Sequence, residues 1–368
     1  MKITEIITQG VKLGVSDIHL TVGKPPIYRL HGTLYPLDAP ELKEKLDLFP
    51  DGEVKILTPA DTEALAQEIM TKTQAEKFQE KGDFDFSYTV PGMARLRVNT
   101  FKQRNSTAMA LRVLNSSIPS FQELGLPDVL ATLSRRPNGL VLVTGPTGCG
   151  KSTTQAAMID LINKEKRMHI ITLEDPIEYL HRHELSMVNQ REIGQDSQSF
   201  ATALRSALRE DPDVILVGEM RDLETIAITI TAAETGHLVL ATLHTPSAAE
   251  TINRVIDVFP PNQQQQVRIQ LANTLEGIIA QQLIPRRDKP GRVAALEILV
   301  ATPAIRNLIR EGRTHQIISQ LQTGAKYGMQ TLDMALRQLY QKNIISREEV
   351  LKRAYDPETI LPGGTYKR

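Results

Sequence analysis

One stretch, GLVLVTGPTGCGKSTTQAAMIDLI from Gly139 to Ile162, constrains this chain more than any other. An apolar run, a turn with three glycines and a helical segment follow one another, and Gly145 to Ser152 fits the spacing G-x-x-x-x-G-K-[ST]. The strand before the motif and the helix after it supply the context that a phosphate-binding loop needs. Gly145, Gly148 and Gly150 let the backbone curl until its N–H groups face phosphate oxygens. Lys151 adds positive charge near the β and γ phosphates, and Ser152 is placed to ligate Mg²⁺. With Pro146, Thr147, Cys149 and Thr153 these residues form the expected site for ATP.

Apolar runs recur beyond the loop as HIITLED, DVILVGE, HLVLATL and VAALEIL, with helical segments between them. Short continuous apolar strands interleaved with helices predict a parallel sheet covered on both faces. The nucleotide-binding domain is therefore expected over residues 139–300, followed by a helical portion and tail over 301–368. Residues 1–115 read differently. Ile3, Ile6, Ile7 and Val11 recur at helical spacing, and Ile18, Leu20 and Val22 alternate. GKPPIYRLHGTLYPL frames two more strands, and DFDFSYTVPGMARLRVNTF is a hairpin turning at Pro91-Gly92. A small α+β domain is expected here, with residues 116–138 as a linker carrying one short helix. Residues 38–59, charged and broken by Pro and Gly, read as a surface excursion. At 368 residues the chain exceeds the roughly 250 to 300 residues at which single cores stop growing, which favours two domains.

A phosphate-binding loop alone hydrolyses nothing quickly, because water must be oriented and developing charge neutralised. Glu174, Asp175 and Glu178 follow one strand, and Glu219 follows another. Parallel strands end on the edge that carries the loop, so these acids are candidates for catalysis, and Glu174 and Asp175 also for Mg²⁺. Loop solvation or helix capping is the alternative for each. His237 and His244 bracket the strand in TGHLVLATLHT, and spacing leaves them between a site role and ordinary satisfied polar groups. HRH at 181–183 reads as a solvated turn. In the first domain Arg95 and Arg97 share a strand face, and Arg112 alternates with Leu111 and Val113. They form either a solvated sheet face or arginines that reach a triphosphate held by the other domain or a neighbouring subunit.

Lys+Arg and Asp+Glu balance at 43 each, so no overall field draws the chain to nucleic acid or anionic lipid. The absence of Trp also argues against a base-stacking platform. Cys149, the single cysteine, excludes an internal disulfide and a four-cysteine zinc site. It is read as a small filler of the loop rather than a redox switch. Residues 1–14 lack the continuous apolar stretch of a signal peptide, and no run approaches the roughly 18 apolar residues of a membrane span. A cytoplasmic protein is expected.

Over nearly its whole length the sequence resembles the secretion-type ATPases that power type IV pili and type II and IV secretion, and within them the twitching-motility retraction ATPases (the PilT family). SDIHL and PPIYRLHG are similar to the start of that family's PAS-like N-terminal domain. GPTGCGKST resembles its Walker A motif, ITLEDPIEY its Asp box, DPDVILVGEMRDLET its Walker B region and TGHLVLATLHT its His box. AIRNLIREG, Ala304 to Gly312, resembles the C-terminal signature of the retraction ATPases.

The resemblance implies a RecA-like P-loop ATPase core, a PAS-like α+β N-terminal domain and a helical C-terminal portion. It further implies a homo-hexameric ring with ATP between the domains. The motor would act with an inner-membrane platform protein at the cytoplasmic face of the bacterial inner membrane, reaching the membrane through partners only and binding no nucleic acid. It makes Glu219 the Walker B residue that polarises the attacking water, Glu178 the acidic partner in the Asp box, and His237 and His244 sensors of the γ-phosphate region. Arg95, Arg97 and Arg112 become candidate phosphate contacts. Ile305, Arg306, Asn307, Leu308, Ile309 and Arg310 become the coupling to the pilus machinery, although Ile305, Leu308 and Ile309 alone also read as a packing stripe. Cys149 departs from the small residue usual in the family, and the stretch near Glu41 to Lys55 is longer than usual. Extension and type II secretion ATPases carry an added N-terminal domain and a four-cysteine zinc motif, which this sequence lacks, so pilus retraction is expected. An accessory retraction motor or a secretion ATPase is the alternative; a DNA-handling RecA-type ATPase and a nucleotide-gated scaffold without turnover are the readings outside that class.

Overall fold

The computed structural model describes residues 2–43, 55–114 and 117–361. Much of the 38–59 excursion, the expected boundary at 115–116 and the end of the tail lie outside the described residues. The chain divides into two compact units, Met1–Ser117 with Glu178–Leu180, and Ile118–Ile177 with His181–Arg368.

In the first unit, α1 (Ile3–Leu13) leads into β1 (Asp17–Leu20), β2 (Ile27–Leu30) and β3 (Thr33–Pro36). The short α2 (Pro40–Lys43) precedes α3 (Pro59–Ile69) and α4 (Lys72–Lys81), both absent from the sequence reading and both opened by capping boxes, Thr58 with Asp61 and Thr71 with Gln74. β4 (Asp83–Val90), β5 (Ala94–Gln103) and β6 (Ser106–Val113) complete an antiparallel sheet in the order β3-β2-β1-β6-β5-β4. One face buries Ile18, Leu20, Tyr28, Leu96, Val98 and Leu111 against Ile3, Ile6 and Ile7 of α1. The Tyr28 hydroxyl anchors the helix by donating to the Ile6 carbonyl at 2.6 Å. The opposite face carries the polar alternates, among them Arg97 and Arg112.

The second unit begins with α5 (Phe121–Leu124) and α6 (Asp128–Ser134), then β7 (Gly139–Thr144), α7 (Lys151–Glu165), β8 (His169–Glu174) and β9 (Met187–Glu192). α8 (Phe200–Ala207), β10 (Val214–Val217), α9 (Leu223–Glu234), β11 (Leu238–Leu243), α10 (Ala248–Asp257) and α11 (Pro261–Thr274) follow. β12 (Leu275–Pro285) and β13 (Arg292–Val300) close the sheet, and α12 (Pro303–Arg310), α13 (Ile317–Thr323), α14 (Leu332–Gln341) and α15 (Arg347–Arg353) form the helical portion. The sheet order is β13-β12-β7-β11-β10-β8-β9. β7, β10 and β11 are buried at every residue, as parallel strands covered on both faces must be. Leu140, Leu142, Ile171, Ile215 and Val239 face one layer of helices, while Val141, Val143, Ile170, Val214 and Leu240 face the other.

Two expectations are corrected, and one strand was not anticipated. VAALEIL is not a parallel strand: β13 runs antiparallel to β12, which the sequence reading missed because α11 passes into it with no breaker between Thr274 and Leu275. β9 was also missed, since an edge strand reading MVNQRE has no apolar run. Residues 116–138 are not a linker with one helix. They carry two, and Leu126, Leu130 and Leu133 enter the core beneath β7 and β12. Leu133 lies so close to β12 that a Cβ on Gly277 would meet its Cδ1 at 2.7 Å.

Replacing Leu133 with Ala therefore removes a core side chain. The expected loss is about 2–5 kcal/mol of unfolding free energy, read by denaturant titration of far-UV circular dichroism. A loss below about 0.5 kcal/mol would return the segment to a surface connection.

Candidate nucleotide site

Parallel register places the ends of β7, β8, β10 and β11 on one edge of the sheet. There the Gly145 N–H donates to the carbonyl of Leu243, the last residue of β11, at 3.3 Å. The loop then bends sharply. Gly145 has φ +138, and a Cβ there would stand 2.3 Å from the Gln281 carbonyl oxygen of β12, so only glycine fits. Gly150, at φ +90, opens α7, whose first turn presents Lys151, Ser152 and Thr153. The Lys151 ammonium lies back on the loop, donating to the carbonyls of Gly145 at 2.8 Å and Pro146 at 3.1 Å. A phosphate would offer that ammonium a full charge in place of two carbonyl dipoles. Cys149 is 3% exposed, and burial pushes its thiol pKa up, which favours the filler reading over a redox switch.

Glu219 follows β10. Its Oε2 pairs with Arg221 Nη2 at 2.7 Å and its Oε1 with His244 Nε2 at 3.0 Å. Burial pushes the carboxyl up, but the Arg221 guanidinium and His244 outweigh it and hold Glu219 below the usual glutamate range. The Met220 N–H to Thr242 carbonyl bond, at 3.1 Å, and the Thr242 hydroxyl on the Gly218 carbonyl tie the Glu219 turn to β11. Glu219, His244 and Gly145 therefore stand side by side across adjoining strand ends.

Other candidates are placed differently. Glu174 Oε1 accepts from the Thr172 hydroxyl at 2.6 Å and from Gln190 Nε2 at 3.0 Å, so this carboxylate is engaged along β8 and β9. Asp175 is exposed at the strand end; Glu178, also exposed, groups with the first unit. His237 is corrected: its carbonyl accepts from Gly139, the first residue of β7, and its Nδ1 faces the Ala232 carbonyl at 2.9 Å. It stands at the start of the six-residue β11, roughly 20 Å from the edge holding His244, too far to sense a γ-phosphate in its own chain's site. In the histidine turn Arg182 and His183 are exposed, as a solvated turn requires, while His181 is half-buried and burial lowers its pKa to about 4.

Within the first unit Arg112 and Arg97 lie directly opposite each other on β6 and β5. Asp17 on β1 accepts from Arg112 Nε at 2.9 Å, Asp85 stands 3.9 Å from Arg97, and Arg95 donates to Ser87 at 2.6 Å and Thr89 at 3.2 Å. The sheet face thus carries excess positive charge with only exposed partners for Arg97.

Among the described residues no cluster of three or more His, Cys, Asp or Glu side chains is arranged to hold a metal. The half-buried Ser152 hydroxyl in the first turn of α7 fits a Mg²⁺ that takes its remaining ligands from water and phosphate.

The family model for type II/IV secretion system proteins matches residues 54–290. The type IV pilus retractation ATPase PilT of Pseudomonas aeruginosa is 49% identical over 360 residues, covering 98% of this chain and 100% of that protein. A twitching motility protein of Neisseria gonorrhoeae is 45% identical over 335 residues, covering 91% and 86%. A crystal structure of the pilus retraction motor PilT with bound ADP superposes with a TM-score of 0.87 at 50% identity, covering 98% of both chains. This chain belongs to the type II/IV secretion system protein family. The expected α/β P-loop ATPase core and the likeness to the retraction ATPases are both borne out.

The signature helix of this family member is largely committed to packing. Ile305, Leu308 and Ile309 enter the core, and the Arg306 guanidinium holds the carbonyls of Ala272, Asn273 and Ala301 and the Glu276 carboxylate. Exposed Asn307 and half-buried Arg310 remain as its outward groups, Arg310 donating to Asn273 Oδ1 at 3.0 Å. Sequence reasoning missed Arg221 and Gln281. The first follows Glu219 by two residues; the second is a buried glutamine inside the apolar run IIAQQLI.

Because its folded pKa is depressed, Glu219 stays ionised as pH falls through the ordinary glutamate range and is neutralised only below it. Arg221→Ala removes the main opposing charge, so the acid limb of the kcat–pH profile for phosphate release is expected to move to higher pH. An unmoved limb would mean that Arg221 does not hold this carboxylate ionised.

Proposed function

We propose that this chain is an ATPase motor for type IV pilus retraction, converting ATP and water to ADP and phosphate while pilin subunits are withdrawn. The observation that carries the chemistry is the Glu219 carboxylate, paired with Arg221 and His244, on the strand end beside the loop that bears Lys151. The near-full-length likeness to a retractation ATPase supports the pilus as its load.

ATP's β and γ phosphates lie on the backbone N–H groups that open α7, and Lys151 leaves the Gly145 and Pro146 carbonyls to meet them. Glu219 accepts a hydrogen bond from the attacking water, with His244 at its Oε1 registering the γ-phosphate region. Ser152 would hold a Mg²⁺, which when bound would supply neutralisation of phosphate charge. Arginines of the sheet face, Arg97 and Arg112 foremost, approach the triphosphate from their own or a neighbouring chain and give up Asp85 and Asp17 as they do so. The working form is a homo-hexamer at the cytoplasmic face of the inner membrane, acting on the platform protein of the pilus machinery. No described helix is long and apolar enough to cross a membrane, which suits attachment through partners.

Lys151→Ala is expected to weaken binding of a fluorescent ATP analogue, whereas Glu219→Gln retains binding and stops phosphate release. Parental turnover in the glutamine variant would remove Glu219 from the mechanism. Deleting the gene in its host is expected to leave persistent, non-retracting filaments.

Asn307→Ala with Arg310→Ala is expected to abolish retraction while ATP turnover stays near the parent's. Equal loss of both would assign these residues to the ATPase core instead.

A further inference from the structure

We infer that Gln281 is a positioning residue for the ATP site, holding the phosphate-binding loop in its binding shape from beneath; the inference rests on the ATP-site reading above. Gln281 lies on β12, one residue past Ala280, which pairs with Thr144 at the end of β7. It is 3% exposed, and both ends of its amide are engaged within the core. Nε2 donates to the Cys149 carbonyl at 2.6 Å, and Oε1 accepts from the Thr154 hydroxyl at 2.8 Å. Its own carbonyl is the group that a Cβ on Gly145 would strike, and its Nε2 would stand 2.8 Å from a Cβ on Gly150. One residue therefore underlies the loop from Gly145 to the first turn of α7.

Peptide geometry turns this support into a binding device. A trans peptide points its C=O and its N–H in opposite directions within one plane. Holding the Cys149 carbonyl down against Gln281 therefore aims the Gly150 N–H up, out of the core and into the concave side of the loop, where a phosphate oxygen would sit. The Cys149 carbonyl, which can only accept, decides that Nε2 is the end facing it. The Thr154 hydroxyl, able to donate or accept, completes the arrangement by donating to Oε1. Without that amide the Cys149 carbonyl would be a buried acceptor lacking this donor, and the Cys149–Gly150 peptide would gain by turning over toward water. The Gly150 N–H would then leave the phosphate.

This role differs from filling space, because it depends on a hydrogen-bond donor at Nε2. Gln281→Met keeps the volume and removes both bonds. Gln281→Glu keeps the shape but sets a carboxylate oxygen against the Cys149 carbonyl, a repulsion relieved when the buried acid is protonated and donates in place of Nε2.

The test uses the full-length protein, a fluorescent ATP analogue and steady-state phosphate release, with thermal melts to confirm folding. Gln281→Met is expected to raise Kd and KM for nucleotide by about tenfold, with a smaller change in kcat. Gln281→Glu is expected to bind as poorly at about pH 8.5 and to recover most of the parent's affinity at about pH 6, a pH dependence the parent lacks. If the parent binds nucleotide and both variants match it at every pH, the inference is overturned. If Gln281→Met is weak but Gln281→Glu shows no recovery on acidification, Gln281 packs without orienting the peptide, and the inference is again overturned. A parent that binds no nucleotide would overturn the ATP-site reading itself, which separates the two failures.

Discussion

Everything at the nucleotide site depends on the parallel register of β7, β11, β10 and β8. Leu243 pairs with Thr144, Val217 with Ala241 and Leu173 with Val217, so four strands end within a residue or two of each other. The chain then leaves each strand through a short polar turn, and these turns are bonded to one another. Gly145 reaches Leu243, Met220 reaches Thr242 and Gly218 reaches Leu173 through backbone bonds. A displacement of any one turn is therefore felt by its neighbours. Such bonding suits a site whose chemistry needs water, carboxylate and phosphate held in line.

The antiparallel hairpin β12–β13 extends this arrangement on the side where the parallel strands alone would leave the loop unsupported. It brings a polar side chain, Gln281, to the underside of the loop, and it brings Glu297 to α10, where the carboxylate accepts from the Ala248 N–H at 2.8 Å. Burial pushes the Glu297 pKa up, and that backbone bond opposes the shift. Both residues are buried and polar, and each is bonded to backbone across the sheet edge rather than to another strand side chain. A buried polar group satisfied in this way fixes orientation, which an apolar contact of similar size does not.

The loop, the parallel core and the helix of AIRNLIREG were legible because each is written in consecutive residues with a defined period or spacing. β7, β8, β10 and β11 announce themselves as apolar runs, and the spacing of Ile305, Leu308 and Ile309 states which face of α12 is buried. What the sequence concealed is relational. α11 enters β12 without Gly or Pro, so the boundary has no local mark, and the direction of β13 depends on its partner. His237 and His244 look symmetrical around their strand, and only the strand's length and direction reveal that they occupy opposite edges. Gln281 is separated from Thr154 by 127 positions and from Cys149 by 132, so nothing local pairs them.

The signature helix shows how one short motif can serve both fold and output. Arg306 is 20% exposed in its side chain and pairs with Glu276 at 2.7 Å, while Arg136, just past α6, pairs with the other oxygen of Glu276 at 3.0 Å. Glu276 therefore joins α6, the first residues of β12 and α12 in one charged joint. The same strand carries Gln281 five residues farther along, beneath the phosphate-binding loop. Truncating Arg306 would leave Glu276 half-paired and three backbone carbonyls without their guanidinium, a cost expressed first as stability. Asn307 bonds only Glu311 one turn on, and Arg310, one turn past Arg306 on the same face, makes a single bond to Asn273, so neither carries a comparable burden. A motif that must be kept for two reasons is best separated residue by residue, with the joint read through unfolding and Asn307 and Arg310 through work on the pilus.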